Sequence, residues 1–232
     1  MNELVEVKHL SKNYGSHNIL HDISFTIKKG AIVGLLGPNG SGKTTLVKLL
    51  NGLIKDYSGE IYIDGQKLSA KSKELISYLP DCNYFANWMR VKDAYAIFKD
   101  FYSDFDKVKC LMLLEHFHID FSMKIKTMSK GTKEKLQLAF VMSRRAPLII
   151  LDEPLGGIDP LAREEILDTI LSNYGMDQTI LITTHLISDI ERIFSDVIFL
   201  NEGSITQMGE VDDLRQKTQK SINELFKELY HA

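Results

Sequence analysis

The segment Gly37-Pro38-Asn39-Gly40-Ser41-Gly42-Lys43-Thr44 constrains this chain more than any other part of it. It follows Ile32-Val33-Gly34-Leu35-Leu36, a continuously apolar run of strand length, and leads into a helical pattern from Lys43 to about Leu53. A strand apolar on both faces belongs inside a sheet covered on both sides. A glycine-rich turn after it lets successive backbone N–H groups converge, and the helix that follows adds its positive end. In that setting the pattern G-x-x-x-x-G-K-[ST] is a triphosphate cradle. Gly37, Pro38, Asn39, Gly40, Ser41, Gly42 and Thr45 are expected around the phosphates, with Lys43 reaching the β- and γ-phosphates and Thr44 ligating Mg²⁺.

Such a loop serves kinases, GTPases and ATPases alike, so the second half of the site decides the class. Leu148-Ile149-Ile150-Leu151-Asp152-Glu153 is an apolar strand ending in two carboxylates. Asp152 is placed to hold the Mg²⁺ shell and Glu153, at the strand tip, to polarise an attacking water. Taken alone, Asp-Glu-Pro could equally be a polar turn.

The flanking pattern is α/β. Val5 and Val7, then Ile23, Phe25 and Ile27, alternate with polar residues as in strands with one buried face, and a further β pair follows at 59–63 with Asp64-Gly65 as its turn. From about Tyr84 to Arg145 the period becomes helical, with helices expected over 91–102, 106–117 and 130–145; His116 and His118 read as ordinary helix residues. Strand and helix then alternate again: a strand at 148–151, a helix near 161–171, a strand at 179–183, a helix after His185 and a hairpin over 197–206 turned at Glu202-Gly203. Ile222, Leu225, Phe226 and Leu229 place a short amphipathic helix in 217–232. Alternating buried strands and helices imply a largely parallel sheet.

Bulk properties exclude more than they suggest. A formal net charge of −3 gives no concentrated basic surface for nucleic acid. The longest apolar stretches, 31–37 and 148–151, fall well short of the roughly 20 residues that span a bilayer. Met1-Asn2-Glu3-Leu4 does not begin a secretory signal, and Cys82 and Cys110 are expected to be unpaired thiols of a reducing compartment.

With these elements in this order, the chain resembles the ABC ATPase family across almost its whole length. The resemblance implies an α/β fold: a P-loop NTPase (RecA-like) core with an N-terminal antiparallel β subdomain and an inserted α-helical subdomain. It implies one domain over 1–232, with the nucleotide-binding core at 1–83 and 146–215, the helical subdomain at 84–145 and a C-terminal helix at 216–232. By the same resemblance Tyr14 stacks on adenine, Asp159 in Gly157-Ile158-Asp159-Pro160 couples two nucleotide sites, and His185 contacts the γ-phosphate as a catalytic partner of Glu153 and Lys43. Asp159 could equally be a helix N-cap before Pro160, and both roles can coexist.

Two segments depart from the family pattern. Met128-Ser129-Lys130-Gly131-Thr132 stands where Leu-Ser-Gly-Gly-Gln is usual; Ser129 and Gly131 remain to bind ATP held by an opposite subunit, while Lys130 opposes the helix dipole. Asp81, in Tyr78-Leu79-Pro80-Asp81, stands where glutamine commonly touches Mg²⁺ and the attacking water. Tyr84-Phe85-Ala86-Asn87-Trp88-Met89 is an aromatic cluster without a clean period, suited either to anchoring a partner helix or to packing inside the insert. The expected protein is therefore an ATP- and Mg²⁺-dependent ATPase subunit, peripheral at the inner face of the cell membrane. Its expected partners are a separate transmembrane ABC subunit and, in a dimer, a second copy or a paralogue; nucleic acid is not among them. A soluble ABC ATPase of the iron-sulfur assembly type and a switch that binds but hardly hydrolyses ATP remain as other readings.

Overall fold

The structure, a computed structural model, describes residues 3–175 and 177–230. Two long antiparallel strands open it, β1 (Glu3–Tyr14) and β2 (His17–Lys28), and the alternating residues Val5, Val7, Ile23, Phe25 and Ile27 are buried. β3 (Ile32–Leu36) is buried at every position and delivers the chain into the loop before α1 (Lys43–Leu50). This helix stops at Leu50 and not near Leu53, because Asn51 turns its side-chain amide onto the Val47 carbonyl and Gly52 takes a left-handed φ of 60°.

β4 (Ser58–Ile63) and β5 (Gln66–Lys67) complete an antiparallel sheet in the order β2-β1-β4-β5. The next strand, β6 (Ile76–Leu79), is too short to display a period, which is why the sequence pattern does not predict it. The helical segment holds α2 (Val91–Phe101), α3 (Lys107–His116) and α4 (Lys130–Met142). His118 is not helical: it lies past the end of α3 with φ 55°. α4 also ends short of residue 145, where Ser143 donates to the Ala139 carbonyl and Arg144 turns inward. The Arg144 guanidinium donates to both Asp104 oxygens and to the Glu74 and Ile76 carbonyls, tying the helical segment to β6.

Then follow β7 (Leu148–Asp152), α5 (Pro160–Asn173), β8 (Thr179–Thr184), α6 (Ile187–Ile190), β9 (Asp196–Asn201) and β10 (Ser204–Glu210). The short helix expected in 217–232 is α8 (Ile222–Tyr230), and α7 (Val211–Thr218), which the sequence pattern does not predict, precedes it; residues 231 and 232 lie outside the described residues. The second sheet runs β10-β9-β3-β8-β7-β6, parallel throughout except for the β9–β10 hairpin.

Strand alternation divides the core between the two faces of this sheet. Val33, Leu35, Leu148, Ile150 and Leu181 face α1 and the antiparallel sheet, where Leu46, Val47, Leu49 and Leu50 are completely buried. Leu36, Ile149, Leu151, Ile180 and Ile182 face the helical segment. Burial of each such side chain stabilises by about 1.5–3 kcal/mol. With both faces filled, the strand tips are left as the place where polar chemistry can collect. Among the described residues no helix is long and apolar enough to cross a membrane.

Candidate active site

β3, β7 and β8 are neighbours in the parallel sheet, so their C-terminal ends bring together the 37–45 loop, Asp152-Glu153 and His185. The loop itself is tight. A side chain at Gly37 would come within 2.3 Å of the Leu200 carbonyl oxygen, and Gly42, the residue before α1, has φ 107°. Asn39 and Gly40 are exposed at the tip, and Pro38 is half-buried behind them.

Several donors of the loop lack partners. α1 starts without a side-chain cap and without an acidic residue in its first turn. Leu46 N–H is the first to reach back, to the Gly42 carbonyl, so the N–H groups of Lys43, Thr44 and Thr45 have no helical acceptor. The buried Ser41 Oγ has no hydrogen-bond partner among the described residues. Lys43, 6% exposed, donates to the carbonyls of Gly37 at 2.7 Å and Pro38 at 3.1 Å, and its Nζ lies 3.9 Å from Glu153 Oε1. Burial holds the Lys43 pKa below its ordinary value, with the Glu153 and Asp152 charges opposing. A phosphate chain would supply acceptors to all of these donors at once.

On the carboxylate side, Asp152 is 1% exposed. Burial raises its pKa; the Asp81 and Glu153 charges add to the rise, and the Thr183 hydrogen bond and Lys43 oppose it. Thr183 Oγ1 donates to Asp152 Oδ1 at 2.6 Å, and Tyr78 OH donates to Asp152 Oδ2 at 3.5 Å. Glu153 follows with φ 50°, a left-handed conformation uncommon outside glycine. Its side chain reaches His185 Nδ1, 3.0 Å from Oε2. Among the described residues no three His, Cys, Asp or Glu side chains form a metal cluster. Thr44 and Asp152 nevertheless suit Mg²⁺, which is commonly held by one or two protein oxygens with phosphate oxygens and water completing the shell.

The remaining expected residues lie around this centre. Tyr14 is exposed at the end of β1, and Lys12 Nζ sits 4.7 Å above its ring. Asp81 is exposed just beyond β6. Ser129 caps α4, its Oγ accepting from Thr132 N–H at 3.1 Å, and Gly131 packs near Ile158. Lys130 extends over Gly157, where an added Cβ would meet Nζ at 2.5 Å. Asp159 is the N-cap of α5, accepting from Ala162 N–H at 3.0 Å, with Pro160 in the first turn.

The aromatic cluster after Asp81 divides. Phe85 and Met89 are buried, Phe85 against Phe98 and Phe140, whereas Trp88 is 77% exposed. A cleft of about 1270 Å³ lies between β6 and the helical segment, and Leu53, Tyr84, Ile97 and Phe101 stand on it. Tyr78 and Thr183 are site residues that sequence reasoning misses, since a tyrosine or threonine in a strand ordinarily signals β propensity alone.

Comparison with known proteins points to one family. The family profile described as "ABC transporter" matches residues 20–156, more than half of the chain. The chain is 36% identical over 217 residues to the ABC transporter ATP-binding protein YtrB of Bacillus subtilis (strain 168), covering 92% of this chain and 74% of that protein. It is 29% identical over 225 residues to the lantibiotic transport ATP-binding protein SrtF of Streptococcus pyogenes, covering 96% of each. A solved structure of the ATP binding subunit of an ABC transporter superposes with a TM-score of 0.87 at 29% identity, over 97% of this chain and 99% of that one. A phosphate-loop α/β core with these matches places the chain in the ABC transporter family, as an ATP-binding subunit that hydrolyses ATP.

Proposed function

We propose that this ATPase drives transport through a membrane-spanning subunit on a separate polypeptide, and that it acts as a pair of ATPase subunits closed on two ATP·Mg²⁺. The observation that carries the catalytic part is the Glu153 carboxylate, set between Lys43 Nζ at 3.9 Å and His185 Nδ1 at 3.0 Å. Glu153 is the base that takes a proton from the attacking water, and His185 orients that carboxylate and meets the γ-phosphate. Lys43, the loop N–H groups and Ser41 bind the phosphates; Thr44 and Asp152 would hold Mg²⁺, with Asp81 as a further candidate ligand; Tyr14 offers its ring to adenine. Bound Mg²⁺ would supply charge neutralisation of the β- and γ-oxygens. The gain in rate is chiefly positioning and charge stabilisation.

In the closed pair, Ser129 and Gly131 of one subunit, at the N-terminus of α4, face the γ-phosphate held by the other, with Asp159 coupling the two sites. The second subunit is a copy of this chain or a paralogue. Support for a membrane partner comes from the transporter ATP-binding proteins that the chain resembles and from the cleft beside Leu53, Ile97 and Phe101, an apolar seat for a partner helix. On this reading the protein is held at the inner face of the membrane by its partner.

The experiment is light scattering of Glu153→Gln with and without ATP and Mg²⁺, repeated with the membrane protein in detergent. ATP-dependent doubling of mass and co-elution with the membrane protein are expected. A monomer under every condition contradicts the paired arrangement, and a dimer that never retains the membrane protein favours a soluble ABC ATPase.

A further inference from the structure

The hydroxyl of Thr183 bonds to both carboxylate-bearing residues of the site. Thr183 lies opposite Asp152 in the β7–β8 register and is completely buried. Its Oγ1 donates to Asp152 Oδ1 at 2.6 Å and accepts from Glu153 N–H at 2.9 Å. Its carbonyl receives the same N–H at 3.1 Å. A valine would fill this strand position with the same shape, so the hydroxyl is what distinguishes threonine here.

Each bond fixes something the site uses. The first selects the rotamer of the Asp152 carboxylate, which has a second, longer contact to Tyr78 OH. The second, with the carbonyl contact, holds Glu153 at φ 50°, a conformation that persists only where its surroundings determine it. Two residues further on, His185 holds the other end of Glu153 through its carboxylate. The end of β8 thus grips Glu153 at both backbone and side chain, and Asp152 at one oxygen.

We propose that Thr183 is a positioning residue that sets the Asp152 carboxylate and the Glu153 backbone in one frame, so that metal binding and water activation depend on a single hydroxyl. This rests on the reading of Asp152 as the Mg²⁺ carboxylate and Glu153 as the base. Partners that orient metal ligands in this way commonly change metal affinity or activity by about 10- to 100-fold when removed.

The test compares Thr183→Val and Thr183→Ser in the full chain, with Asp152→Asn as reference. Mn²⁺ affinity is read by electron paramagnetic resonance in the presence of a non-hydrolysable ATP analogue, nucleotide affinity is measured in EDTA, and turnover is measured alongside. Thr183→Val is expected to weaken Mn²⁺ binding about tenfold and turnover by about 10- to 100-fold, with the EDTA nucleotide affinity and melting cooperativity retained, and Thr183→Ser to recover most of both losses. If Asp152→Asn weakens Mn²⁺ and Thr183→Val does not, the assignment of Thr183 is overturned. If Asp152→Asn leaves Mn²⁺ unchanged, it is the reading of Asp152 that fails. Equal losses of Mn²⁺ and metal-free nucleotide binding in Thr183→Val would reduce Thr183 to a packing residue.

Discussion

Glu153 Oε2 lies 3.0 Å from His185 Nδ1, joining the tip of β7 to the residue just past β8. A bond at Nδ1 fixes the orientation of the ring and leaves Nε2 free of the carboxylate. Replacing His185 with alanine frees the Glu153 side chain without touching the phosphate loop. Turnover is expected to fall by roughly 100-fold, the range for loss of one charge-stabilising group, while ATP affinity changes only a few-fold. Single-turnover kinetics beside nucleotide titration checks the split; a parallel loss of affinity would assign His185 to binding.

Lys43 is buried and already bonded to the Gly37 and Pro38 carbonyls, so its ammonium is oriented before any nucleotide arrives. A hydrogen bond to a charged group contributes about 1.5–3 kcal/mol, or roughly 10- to 150-fold in affinity. Lys43→Ala should weaken ATP binding by that factor in a fluorescent-nucleotide titration, and an unchanged affinity would remove Lys43 from the phosphate site.

Glu134 is buried in α4, and burial pushes its pKa up from 4.5 to about 7, with Lys130 opposing and Asp81 adding to the rise. A carboxyl that ionises less readily in the fold than in the unfolded chain contributes stability that is complete below pH 4.5 and lost as pH rises through about 7. At about 1.4 kcal/mol per pH unit this amounts to on the order of 3 kcal/mol. Glu134→Gln should therefore melt higher than the native chain at pH 8, with the gap narrowing toward pH 5. A gap constant across that window would mean that Glu134 does not titrate within it.

Gly157 has φ 68° and carries the end of the Lys130 side chain above it. Alanine there is held in the left-handed region at a cost of about 1–2 kcal/mol. Lys130 Nζ is the mobile end of a long side chain and can swing aside, so Lys130→Ala should not recover the loss. Thermal melts of the two single variants and the double variant check this; recovery in the double variant would place the cost in the contact with Lys130.

What could be read from the sequence was local. The glycine loop, the buried run 148–151 ending in Asp152-Glu153, and the strand before His185 announce themselves through short-range pattern. The two faces of the parallel sheet are buried as continuous apolar strands require. What stayed hidden depends on pairs distant along the chain: Thr183 on Asp152, Tyr78 on Asp152, Lys130 over Gly157. β6 was hidden because four residues show no period, and the split of Phe85 from Trp88 because irregular backbone does not assign a face. Helix ends were set by single side chains, Asn51 after α1 and Ser143 after α4, whose hydrogen bonds to the preceding turn are invisible to periodicity.

On the proposed reading, Glu153 activates water in an ATPase coupled to a membrane partner. The most direct measurement is ATP turnover by the native chain and by Glu153→Gln, alone and with the membrane protein in detergent, beside ATP affinity for each. Native turnover is expected to change when the membrane protein is present, and turnover to be lost in Glu153→Gln with ATP affinity kept. Tight ATP binding without turnover in the native chain under both conditions, or equal loss of affinity and turnover in Glu153→Gln, would contradict it.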